Sequence, residues 1–222
     1  MRRCPWLAAA TLAAGAVLAV SRSACASGLF DQPVSASELL HTTLAQPAAE
    51  LAAARVLSGK FVQRRYLAGL DRPLVSQGDF LLAREQGILW RTTTPFPSEF
   101  VLSAGGMTLR DGASTTHLSS SERPALRTAL EVLFALFALD VGRLAESFEL
   151  FGQNQGDHWQ VGLRPRDGGL ARLFDQAVIS GAHTVERIEL SSASGDRTEI
   201  ELSGIETHAS ALDAGEAARF HP

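Results

Sequence analysis

The chain has 222 residues, with 20 Lys and Arg against 24 Asp and Glu for a net charge of −4, and 45% of its residues are apolar. That length and apolar content favour one domain with a substantial core. An acidic chain with no basic cluster does not suit nucleic acid.

The first 26 residues carry Arg2 and Arg3, an apolar run from Trp6 to Val20, and the small-residue site Ala24-Cys25-Ala26. This predicts a secretory signal peptide over 1–26, cut after Ala26 to leave a soluble mature chain over 27–222 that begins at Ser27. The apolar run falls short of the roughly 20 residues a membrane-spanning helix needs. A lipobox wants a small aliphatic residue three places before its Cys, and Arg22 stands there, which argues against lipidation of Cys25. Cys4 and Cys25 are the two cysteines, and both lie in the segment to be removed. The mature chain therefore has no disulfide, thiol nucleophile or cysteine ligand, and packing must hold it together. Cleavage also removes three basic residues and no acid, which moves the net charge from −4 to −7.

Ser35-Ala36-Ser37-Glu38 has capping-box spacing and predicts a helix through Leu39, Leu40 and Leu44. Pro47 interrupts it, and the Ala-rich segment 48–55 can add another helical turn or two before Gly59 ends the run. From Leu57 to Trp90 the sequence reads as three strands joined by turns, with Glu85-Gln86-Gly87 as a hairpin turn. Alternate strand residues share a face, so Phe80, Leu82 and Arg84 point the same way, as do Ile88 and Trp90. An Arg that ends an apolar row either reaches solvent or needs a partner.

Short strands continue through Phe100–Leu102, Met107–Arg110 and Thr115–Leu118, with turns at Gly105-Gly106 and Asp111-Gly112, while Pro95 and Pro97 keep 94–98 out of a central strand. Segment Pro124–Asp140 breaks the rhythm. It reads as a helix apolar nearly all round, with Leu126, Leu130, Leu133, Phe134 and Phe137 on one stripe and Val132, Leu136 and Leu139 on a second, so it must be buried on more than one side. Strands return at Trp159–Leu163, Val185–Leu190 and Thr198–Leu202, with Gly195-Asp196 as the turn between the last two. The regular spacing of short strands predicts an antiparallel barrel or sandwich. The six histidines have no metal-ligand spacing, and the chain contains neither a GxSxG elbow nor a phosphate loop. Nothing points to catalysis, a metal or a cofactor.

Phe61-Val-Gln63-Arg64 resembles the F-x-Q first strand, Gly78-Asp-Phe80 the second strand, and Trp90 followed by Pro95 and a Gly pair before Met107 the third strand and its sequel, of the periplasmic outer-membrane lipoprotein carriers of LolA type. The resemblance runs from about Leu57 to Gly112. It implies a mainly β fold with helices (α+β): an unclosed antiparallel half-barrel with an N-terminal helix and a helical lid over an apolar cavity. Arg84 falls on the family's arginine, whose implied role is to hydrogen-bond the lid and hold the cavity shut. Ile88 stands where the carriers have Phe, and Glu85 where they have Pro. These departures suit a divergent branch, similar to carriers found alongside lipid or polyene assembly enzymes.

The expected acyl-binding residues are Phe61, Phe80, Leu82, Ile88 and Trp90 from the sheet, facing Leu130, Leu133, Phe134 and Phe137 from the lid. The implied function is a monomeric periplasmic carrier of lipoprotein acyl chains or other lipids, moving between an inner-membrane donor and an outer-membrane acceptor. A membrane-anchored acceptor of the same fold, or a carrier in a glycolipid or polyene lipid pathway, is the alternative.

Overall fold

The computed structural model describes residues 28–45, 47, 51, 53–119, 132, 134–172 and 174–220. The expected signal peptide, the lid's first half, Leu130 and Leu133 lie outside the described residues. Eleven strands form one antiparallel sheet: β1 Val56–Tyr66, β2 Leu74–Ala83, β3 Gly87–Thr94, β4 Ser98–Ser103, β5 Gly106–Asp111, β6 Ser114–Ser119, β7 Phe148–Gln155, β8 His158–Pro165, β9 Gln176–Gly181, β10 Val185–Ser191 and β11 Arg197–His208. Their order across the sheet is β6-β5-β4-β3-β2-β1-β11-β10-β9-β8-β7. Two meanders, β1–β6 and β7–β11, are thus joined by the pairing of the first strand with the last, with Phe61 opposite Leu202 and Gln63 opposite Ile200. The end strands β6 and β7 do not pair with each other, so the sheet is an unclosed half-barrel.

This topology places the lid. β6 and β7 are consecutive in sequence but stand at opposite edges of the sheet, so the chain between them must cross its whole width. Residues Val132 and 134–137 of that crossing are helical. The helix closes with the Leu139 amide donating to the Leu136 carbonyl and the Asp140 amide donating to the Ala135 carbonyl at 2.9 Å. That pair of bonds is a Schellman ending, whose terminal residue sits in the left-handed region. Leu139 occupies it, with φ 48°. Asp140 then caps the next helix, α2 (Val141–Ser147), by accepting from the Arg143 amide.

At the N-terminus Ser35 accepts from the Glu38 amide at 3.1 Å and starts α1 (Ala36–Thr42). Leu39 is fully buried and rests against Gly152 of β7, where a Cβ would come within 2.4 Å of its methyl group. Only a glycine lets helix and strand approach this closely. After α1, Leu44 and Leu51 are buried, and Pro47, Leu51 and Ala53 are helical.

Most of the core lies on the concave face. Leu57 and Phe61 of β1, Phe80 and Leu82 of β2, Ile88 of β3, Leu102 of β4, Val161 and Leu163 of β8, and Ile188 of β10 join the helices in one cluster. Strict alternation would leave the other face wet, but the structure differs. Val56, Leu81, Ala83, Leu89 and Val101 form a second cluster on the convex face, sealed by Phe220 beyond the C-terminal helix α3 (Ala214–Ala218). Phe80–Ala83 is therefore buried on both faces. Elsewhere the convex face is charged and paired. Arg187 binds Glu189, Glu199 and Glu201, and Arg197 also reaches Glu199 at 2.7 Å.

Candidate functional site

The concave face does not fill completely. A cavity of about 420 Å³ remains between sheet and lid, lined by Ile88 and Trp90 of β3, Phe100 of β4, Ile188 and Leu190 of β10, Ile200 of β11, Leu170 and Phe174 of the β8–β9 connection, and Val132, Leu136 and Phe137 of the lid. Gln63 of β1 is the polar member of the described lining. A cavity walled almost wholly by hydrocarbon excludes ordered water and takes apolar ligands.

The sheet residues expected at the site fall into two groups. Ile88 and Trp90 line the cavity. Phe61, Phe80 and Leu82 form the packed layer beside it, each 1–2% exposed. The two phenylalanine rings hold the Trp90 indole: Phe61 stacks on it with centroids 3.9 Å apart, and Phe80 stacks at 5.9 Å. Phe80 also meets Phe137 of the lid at 5.5 Å, so the aromatic stack runs from the sheet to the lid. Of the lid residues, Phe137 lines the cavity, while Phe134 packs partly buried against the core. The lid helix offers the cavity Val132 and Leu136, one turn apart, the second of its two stripes.

Sequence reasoning missed the opposite wall. Ile188, Leu190 and Ile200 alternate regularly in their strands, but nothing local says that β11 pairs with β1 and brings them across from Trp90. Leu170 and Phe174 belong to a connection with a short 3-10 helix, Leu170–Arg172, for which the sequence carries no period.

Arg84 donates from Nε to the Ala54 carbonyl at 2.7 Å and from a terminal nitrogen to the Leu51 carbonyl at 3.1 Å. Both acceptors are at the end of the helical stretch before β1, where carbonyls lack helical partners. Arg84 thus ties a helix end to the sheet as its chemistry demands, and among the described residues that end belongs to the N-terminal segment. Glu85, in the adjoining turn, pairs with Arg55.

Among the described residues no group of His, Cys, Asp or Glu could hold a metal, and every buried side-chain nitrogen and oxygen has a hydrogen-bond partner. No described helix is long and apolar enough to cross a membrane.

The architecture is an open antiparallel half-barrel with a helix laid across an apolar cavity. The family model described as outer membrane lipoprotein carrier protein LolA-like matches residues 34–221, and the chain belongs to that family. No curated protein matches it. Solved structures similar to it include a DUF1329 family protein from Desulfovibrio piger (12% identity, 75% of this chain and 91% of that one, TM-score 0.44). Another is a LolA superfamily protein from Nitrosomonas europaea (10% identity, 75% and 94%, TM-score 0.38). LprF from Mycobacterium bovis is a third (12% identity, 82% and 99%, TM-score 0.40). The membership rests on the family match.

Proposed function

We propose that this protein is a periplasmic carrier that shields acyl chains of lipoproteins or other lipids on their way to the outer membrane. The observation that carries the reading is the 420 Å³ apolar cavity beneath the lid. Each methylene moved from water into it contributes about 0.8 kcal/mol, and association costs offset part of that gain. The balance favours reversible carriage over permanent storage. The chain is exported by residues 1–26, begins at Ser27, and passes its cargo from an inner-membrane donor to an outer-membrane acceptor. Arg84 holds the cavity shut by fixing a helix end to the sheet.

A titration with a fluorescent fatty acyl probe tests this reading. The wild type should saturate, and Leu136→Asp, which sets a charge against the chain, should lose binding while remaining folded. Arg84→Leu should keep the affinity within a few-fold but speed release. Absence of saturable binding by the wild type would overturn the carrier reading, and unchanged release with Arg84→Leu would overturn the latch.

A further inference from the structure

The cavity's size and the order of side chains along β1 say more about the ligand than that it is greasy. An apolar cavity of ~150 Å³ accommodates the six carbons of benzene, which is roughly 25 Å³ per carbon. On that scale the 420 Å³ here holds about 17 carbons, which is one fatty acyl chain. Three such chains would need on the order of 1,200 Å³ by the same measure.

The concave row of β1 sets a direction. Phe61 is buried in the aromatic stack and Gln63 lines the cavity. Arg65 follows on the same face, since the β1–β11 register runs without a shift from Lys60 opposite Ser203 to Tyr66 opposite Arg197. Same-face residues stand roughly 7 Å apart along a strand. Over the two steps from Phe61 to Arg65, roughly 14 Å, this face of β1 passes from hydrocarbon to amide and then to guanidinium. Among the described residues Gln63 makes no side-chain hydrogen bond and Arg65 no ion pair. Its register neighbours, Leu74 and Thr198, are uncharged.

The convex side of the same strands is different. Arg64 pairs with Glu201 at 2.9 Å, and Arg197 pairs with Glu199 and lies over the Tyr66 ring. Asp196, at the β10–β11 turn, is close enough to feel the Arg65 charge and accepts from the Ala68 amide at 2.9 Å, but it forms no ion pair with Arg65. Arg65, exposed and without an ion pair among the described residues, thus stands one same-face position beyond Gln63, the polar member of the described cavity lining. A charged donor contributes most to an anionic acceptor, and the Gln63 amide can serve a carbonyl or a hydroxyl.

We infer that the cavity takes a single-chain amphiphile with an anionic head, its chain under the lid, its first polar atoms at Gln63 and its head at Arg65. This rests on the acyl-carrier reading and narrows it to one chain per protein, with a carboxylate or a phosphate as the head.

The test uses the delipidated mature chain, calorimetry and native mass spectrometry with four ligands: palmitate, palmitoyl-lysophosphatidate, hexadecanol and a tripalmitoylated peptide. Both anionic ligands should bind one to one, and about tenfold more tightly than hexadecanol. Palmitate tighter than the lysophosphatidate would identify a carboxylate head, and the reverse a phosphate head. Arg65→Met should erase the preference and leave hexadecanol binding unchanged, and Arg65→Lys should restore part of it. Equal affinity for palmitate and hexadecanol, or loss of both with Arg65→Met, would overturn the head assignment and leave the carrier reading standing. Tighter binding of the tripalmitoylated peptide than of palmitate would overturn the single chain. Failure of all four ligands would overturn the carrier reading beneath it.

Discussion

Chain length is the perturbation to which this cavity should respond most sharply. Each added methylene buried beneath the lid contributes about 0.8 kcal/mol, close to a fourfold gain in affinity, so two carbons give roughly fifteenfold. The gain should continue only while there is space to fill. With 420 Å³ available and roughly 25 Å³ per carbon, the rise should flatten at about 17 carbons. Ile200→Trp moves that limit. Ile200 faces the cavity from β11, and an indole adds about six heavy atoms to the space, roughly the room six ligand carbons would use. The plateau should then fall to about 11 carbons, with affinities for shorter chains little changed. Displacement of a fluorescent acyl probe by saturated fatty acids of increasing length, each kept below micelle formation, measures both limits. Affinity that climbs undiminished past twenty carbons, or a plateau unmoved by Ile200→Trp, would refute this assignment of the cavity.

Two other outcomes follow from the fold. Leu139 stands in the left-handed region at φ 48° yet is only 2% exposed. Leu139→Gly relieves about 1–2 kcal/mol of backbone strain but forfeits roughly 2–5 kcal/mol of packing. The variant should be destabilised by about 1–3 kcal/mol in urea denaturation, and a gain in stability would show that strain outweighs packing. Asp196 ties the β10–β11 turn to the β1–β2 hairpin. Its carboxyl is held below the ordinary value of 3.8 by the Ala68 amide, then by Ser194 and the Arg65 charge. A lowered folded value means that the contribution is complete above 3.8 and is lost as pH falls through the lowered value. The urea midpoint gap between wild type and Asp196→Ala should therefore be constant from pH 7 to 5 and shrink under acid, whereas a gap that widened there would reverse the sign.

What could be read from the sequence divides along physical lines. Features set by neighbours in the chain came through: the Ser35 cap, the turns at Gly87 and Gly112, the break at Pro95 and Pro97, and the alternation in β8 and β11. β7 did not, because Leu150 and Phe151 are buried on opposite faces, Phe151 against Phe30 at 5.0 Å. The pattern FELF thus loses its period. β9 alternates, but over six residues and without a turn residue to open it. The convex core was invisible for another reason. Leu81, Leu89 and Val101 look like lapses from alternation until Phe220, far away in sequence, is placed over them. Trp90 and Ile88 were identified as site residues because family and parity agreed on them, whereas the wall of Ile188, Leu190 and Ile200 required knowing which strands are neighbours. Arg84 shows the middle case. Its need for carbonyl partners could be deduced from chemistry alone, but which helix end supplies them is a matter of tertiary geometry.

The seam between β1 and β11 has a consequence for how the chain folds. Within each meander every strand pairs with its sequence neighbour, and such local contacts form early. The seam instead joins Val56 to His208 and must wait for the last strand to be synthesised. The entropy of closing so long a loop grows only slowly with its length, so the delay costs more in exposure than in free energy. Until β11 arrives, β1 is an unpaired edge beside the bare apolar concave face, the kind of template on which chains aggregate. Aggregation of the nascent half-sheet would therefore begin at β1, the strand that β11 later covers.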